Sequence, residues 1–157
     1  MSVATEEARV IHLFERVERL EAVASADNIR DEQRRDILSV AMEAIRECDP
    51  VRVTIAAQLL NLSRKTVEAW AREGLLTTAA GKHARLVLDA QRLHEVLHLV
   101  RDLRSQGRDR NLIEAVWYRL NDQALLDRED LAESIEQMKR GEGRVVRQGD
   151  AAKQERP

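Results

Sequence analysis

Residues 53–76 read VTIAAQLLNLSRKTVEAWAREGLL, and no other stretch of the chain restricts the fold as tightly. Ile55, Ala56, Leu59 and Leu60 fall on one face of a short helix that Thr54 is placed to cap. Asn61-Leu62-Ser63 breaks that helix, and Ser63 is placed to cap a second one. There Val67, Trp70 and Ala71 recur at i, i+3, i+4 and turn inward, leaving Arg64, Lys65, Thr66, Glu68 and Arg72 outward. Gly74 supplies the stop. A helix–turn–helix pair whose second helix opens with short polar and basic side chains is suited to a DNA major groove. The bland alternative is an ordinary helical hairpin.

Leu75-Leu76 and Arg85–Leu88 are apolar runs around a small-residue loop holding Gly81, Lys82 and His83. They predict a β-hairpin wing whose basic tip lies on a phosphate strand. Asp89 is placed to cap a long helix to about Ser105, with Leu93, Leu97, Val100 and Leu103 as its stripe and Gly107 ending it.

On these residues (SRKTVEAW followed by REGLL, the wing with Arg85, then Asp89 and the Leu97-Val100-Leu103-Gly107 ladder), Val53–Gly107 resembles the winged helix–turn–helix of MerR regulators and excisionase-type proteins. The resemblance implies that the Ser63–Arg72 helix enters the major groove. Ser63, Arg64, Lys65 and Thr66 would meet base edges or phosphates, with Glu68 and Arg72 on the same outward face. Lys82, His83 and Arg85 of the wing would clamp the adjacent backbone. The chain departs from the MerR pattern at Glu68, where those proteins commonly carry a DNA-contacting Arg. Trp70 in place of a Tyr leans toward the excisionase side. Residues 106–138 also read as lacking the single long dimerising helix of MerR proteins.

Charge supports this assignment. Residues 1–49 carry seven Arg against twelve acids, a net −5, and residues 108–157 carry ten bases against eleven acids, a net −1. Residues 50–107 carry nine Lys or Arg against five acids, a net +4, so the one basic segment is the one with the DNA-binding pattern. Aromatic residues are 3% of the chain and charged residues 34%, which favours helices packed through Leu, Val, Ile and Ala over a large sheet. No apolar run reaches membrane-spanning length, and the N-terminus lacks a signal-peptide profile. A single Cys48 excludes an internal disulfide framework, and all three observations fit the cytoplasm. Cys48 itself reads as a buried small hydrophobe.

The segment 1–49 reads as a helical hairpin. Its first helix runs from about Thr5 to Ala24, and Val10, Leu13, Phe14, Val17 and Leu20 form a stripe too apolar for solvent. Its second runs from about Arg30 to Cys48, ended by Asp49-Pro50. Two such stripes exceed what one hairpin buries, so the first is assigned to homodimerisation or partner binding. Residues 50–107 form the winged domain, and residues 108–141 hold two short helices, Asn111–Leu120 and one from Asp127 to Gly141. Residues 142–157 are polar and read as a disordered tail.

One catalytic-looking motif remains, His94-Glu95-Val96-Leu97-His98, an H-E-x-x-H on a helix. Two His residues at i, i+4 share a face and are able to bind zinc, with the Glu activating water. The stripe from Leu93 to Leu103 leaves both histidines on a wetter face, and candidate third ligands such as Glu114 lie beyond the Gly107 break. The sequence therefore assigns no metal, no cofactor and no catalytic residue. The resulting expectation is a mainly α chain that binds double-stranded DNA as a homodimer and regulates transcription, with no membrane contact. An antitoxin that represses its own operon and grips a cognate toxin is the alternative. A recombination directionality factor is a further variant, and a zinc metallopeptidase is the remote one.

Overall fold

The computed structural model describes residues 2–79, 81 and 85–140, and it is mainly helical. The chain divides after Val116 into two units. The first opens with helix α1 (Val3–Ala24), whose N-terminus is capped by the Ser2 side chain accepting from the Thr5 N–H at 3.2 Å. Helix α2 (Asp31–Arg46) packs against it. Arg34 fastens the turn between them: its Nε donates to the Ala24 carbonyl at 2.7 Å, its Nη2 reaches the Ala26 and Ile29 carbonyls, and its Nη1 pairs with Asp31 at 3.3 Å. The Ala24 carbonyl ends α1, where intrahelical donors run out, so the guanidinium supplies one instead.

Strand β1 (Val51–Arg52) leads directly into helix α3 (Val53–Leu60), followed by helix α4 (Arg64–Arg72), strand β2 (Val87–Leu88) and helix α5 (Ala90–Ser105). β1 and β2 pair antiparallel, Val51 opposite Leu88 and Arg52 opposite Val87. On its other side Leu88 bridges Thr78, and the Ala79 N–H donates to the Val87 carbonyl at 3.0 Å. Residues 77–79 therefore run back along β2. The core gathers where these pieces meet: Val51, Ile55, Ala56, Leu60, Val67, Leu75, Leu76, Leu88, Leu93, Val96, Val100 and Leu103 are all buried. Each is worth roughly 1.5–3 kcal/mol if fully withdrawn from water, Ala less.

Three helices stop in one way. Asn61, Gly74 and Gly107 take left-handed φ of 51°, 85° and 82°. The next residue's N–H then bonds five residues back: Leu62 to Ala57, Leu75 to Trp70, Arg108 to Leu103, each at 3.0 Å. Helix α6 (Leu112–Arg140) begins in the first unit, where Leu112 and Val116 are buried, and continues into the second.

Several expectations change. The C-terminal part is one 29-residue helix, not two short ones. Asn121-Asp122 lowers helix propensity without breaking the helix, because no Gly or Pro stands between Gly107 and Gly141. The expected lack of a long helix after Gln106 is corrected by the same finding. α3 starts at Val53 with Arg52 at the cap, so Thr54 lies inside the helix. Leu75-Leu76 is a buried turn and not a strand, while β1 is a strand that its two residues were too short to signal. The stripe assigned to dimerisation is spent inside the chain: Val10, Phe14 and Val17 are buried in the first unit, with Leu13 and Leu20 partly covered. Cys48 is half-buried, beyond the end of α2. Lys82, His83 and the tail 142–157 lie outside the described residues.

Candidate nucleic-acid interface and a Glu-His-His cluster

Ser63 caps α4 as its sequence position demands, its Oγ accepting from the Thr66 N–H at 3.1 Å and meeting Thr66 Oγ1 at 2.8 Å. The first turn thereby presents Arg64 and Lys65, both exposed, with Thr66 half-buried beside them. Val67 and Trp70 face inward and are buried. Arg72 is exposed at the far end of α4, and Arg85 is exposed before β2. Arg64 is held in place: its Nε donates to Glu68 Oε1 at 3.1 Å, one turn along the helix.

The turn that aims α4 is clamped from behind. Arg104 of α5 donates through one terminal nitrogen to the Leu60 carbonyl at 2.6 Å and through the other to the Asn61 carbonyl at 3.0 Å. Arg92 likewise donates to the Leu75 carbonyl at 3.0 Å, fixing the exit from α4. Sequence reasoning missed both roles, because a helical Arg reads as a solvated charge. They also refine the charge argument. Of the nine bases in residues 50–107, Arg92 and Arg104 are engaged with backbone, Arg52 pairs with Glu6 and Arg101 with Glu18, both at 2.9 Å. Of the described bases in residues 50–107, Arg64, Lys65, Arg72 and Arg85 are exposed along α4 and before β2, Arg64 paired with Glu68 on its own helix.

The second constellation contradicts the sequence reading of the H-E-x-x-H motif at His94, while His98 is exposed as read. His94 is buried, only 8% exposed, not on a wetter face, and its ring lies 6.4 Å from that of Phe14 of α1. A third donor is present after all. Glu21 of α1 places Oε1 2.8 Å from His94 Nε2 and Oε2 2.7 Å from His98 Nε2, and the two Nε2 atoms are 3.1 Å apart. The two imidazoles stand edge to face, as i, i+4 partners on one helix face can. Burial lowers the His94 pKa most strongly, opposed by the Glu21 carboxylate and reinforced by His98, so the neutral ring is favoured. Glu21 lies 73 residues from His94, and no local period links them, so sequence pattern alone gave no route to it. Glu95 stands apart: its carboxylate is paired with Arg92 at 3.2 Å.

No protein-family model matches the chain, and neither a curated protein nor a solved structure matches it. Among the described residues, no helix is long and apolar enough to cross a membrane.

Proposed function

We propose that the chain is a sequence-specific DNA-binding protein of the winged helix–turn–helix kind, acting in transcriptional regulation. The observation that carries this reading is the exposed N-terminal turn of α4, Ser63 to Thr66, capped by Ser63 and led into by a turn that Arg104 holds at the Leu60 and Asn61 carbonyls. A groove-reading helix needs a polar, basic leading turn and a rigid seat, because misplacement of the helix loses every base contact together. Residues 77–79 and β2 form the flanking ribbon, from which Arg85 reaches toward the phosphate backbone beside the groove. Glu68 tempers the face: it neutralises Arg64 in the free protein and favours bases able to compete for the guanidinium.

The deciding experiment is genome-wide recovery of DNA fragments bound by the protein, compared with the Arg64→Ala/Lys65→Ala variant. A shared motif in the wild-type fragments, lost in the variant while the melting temperature holds, supports the reading. Fragments without a common motif, or equal recovery by the variant, would refute it. Surface positions such as these cost little stability when truncated.

A further inference from the structure

We propose that Glu21, His94 and His98 form a binding site for one divalent transition-metal ion, zinc in the first place, which ties α1 to α5. Each Nε2 faces a carboxylate oxygen at hydrogen-bond distance, so with Glu21 ionised each ring is called on to donate from Nε2. Both Nε2 atoms then carry hydrogens, yet they stand 3.1 Å apart, where two donors repel. Removing either hydrogen relieves that contact and leaves a nitrogen lone pair against a carboxylate lone pair. No placement of protons with an ionised Glu21 satisfies all three contacts.

A cation at the centre satisfies all of them, because it needs three lone pairs directed at one point. Zinc binds His nitrogen at roughly 2.0–2.1 Å and carboxylate oxygen at about 2.0–2.2 Å, which at tetrahedral angles sets ligand atoms roughly 3.3–3.5 Å from one another. The two Nε2 atoms are 3.1 Å apart and each has a different Glu21 oxygen within 2.8 Å, a few tenths of an ångström tighter than that spacing, so the arriving ion spreads a cluster that is already gathered. Burial supplies the rest: His94 is inside, the Glu21 side chain is 19% exposed, and His98 is 50% exposed, leaving one open side for a solvent ligand and for the ion's arrival. Two imidazoles and one carboxylate select the zinc-like ions over magnesium or calcium, which prefer all-oxygen shells. The role is a staple more than a catalyst. Glu95, the residue that would activate water in a peptidase, has its carboxylate on Arg92. The Glu18–Arg101 pair lies on the same α1–α5 seam, so the ion would complete a polar line that already joins the N-terminal hairpin to α5.

The test uses the full chain, stripped with chelator and titrated with zinc chloride by calorimetry, with elemental analysis after desalting. The expected result is one zinc per chain, a raised melting temperature, and slowed amide exchange in α1 around Glu21. Cobalt(II) should give visible absorption bands of a four- or five-coordinate N/O site. His98→Gln and Glu21→Gln should each weaken zinc binding at least tenfold, by analogy with the roughly 10–100-fold lost when even outer-shell partners are changed. His98 is half-exposed, so its variant decides the question even if Glu21→Gln impairs folding. Absence of retained zinc would overturn the proposal. So would unchanged affinity in the His98 variant, which would place the ion elsewhere, for instance at His12. The outcome is independent of DNA binding.

Discussion

Glu68 sits on the outward face of α4 with its carboxylate on Arg64, and that single pair sets how α4 presents its charge. In water such an exposed i, i+4 pair is worth only a few tenths of a kcal/mol, so under the proposed DNA-binding reading its weight falls on recognition and not on stability. Glu68→Gln should free the Arg64 guanidinium and remove a negative charge from the interface. Affinity for random duplex DNA should then rise, and the dependence of log K on log salt should steepen by about one unit. Fluorescence anisotropy across a salt series measures both, and an unchanged slope would show that Arg64 does not reach phosphate. Cys48 offers a second measurement at this scale. Its thiol donates to the Asp49 carbonyl at 3.3 Å, and burial, with Asp49 beside it, pushes its pKa up against the smaller opposing pull of Arg9. The pH midpoint of alkylation by iodoacetamide should lie above that of a free thiol in the native chain and fall back in urea. Because the folded state holds this proton longer, the stability the group contributes is intact below the unfolded-state pKa and is lost as pH rises through the folded one.

At the scale of elements, α5 organises the first unit. Its apolar face fills the core, Arg104 and Arg92 hold the chain just before and just after α4, and His94 and His98 meet Glu21 of α1. Arg104→Gln shortens the clamp and leaves the Leu60 carbonyl without its donor, a cost of about 1–3 kcal/mol. The variant should melt earlier and lose specific DNA affinity, although Arg104 itself would not touch DNA. Unaltered melting would show that water replaces the guanidinium at no cost. What the sequence revealed here follows from range. α4 with its Ser63 cap, the Gly74 and Gly107 stops, and α5 from Asp89 were legible, because caps, stops and the 3.6-residue period are local signals. The partners of Arg104, Arg92 and Glu21 were not, since each bond joins residues far apart in sequence that meet only after packing. The α1 stripe was read correctly as apolar and wrongly as spare: Val17 is 1% exposed within its own chain. Leu13→Glu/Val17→Glu, a natural choice to split a dimer on sequence grounds, would instead put a charge into the core.

For the whole molecule, that correction means that the expected homodimer, if formed, must use another surface. In the second unit Leu125, Leu126, Leu131, Ile135 and Met138 of α6 are between 45% and 75% exposed, and Leu131, Ile135 and Met138 repeat at i, i+4, i+7 on one face. A helix carrying such a stripe without cover is marginal in water, and the face of a second copy is the simplest cover, apolar against apolar with Glu and Arg residues flanking. Two reading heads would then sit in one particle, as operators with two half-sites require. Burial of each Leu or Ile side chain contributes roughly 1.5–3 kcal/mol at most, so charges at two of them should outweigh the association. Sedimentation of the wild type should give a dimer at micromolar concentration, and Leu131→Glu/Ile135→Glu a monomer. The melting transition of the first unit should stay in place, because neither residue belongs to it. A monomeric wild type would refute self-association through α6 and leave that face for a different protein, a toxin among the candidates. A variant that stays dimeric would return the interface to residues 1–116.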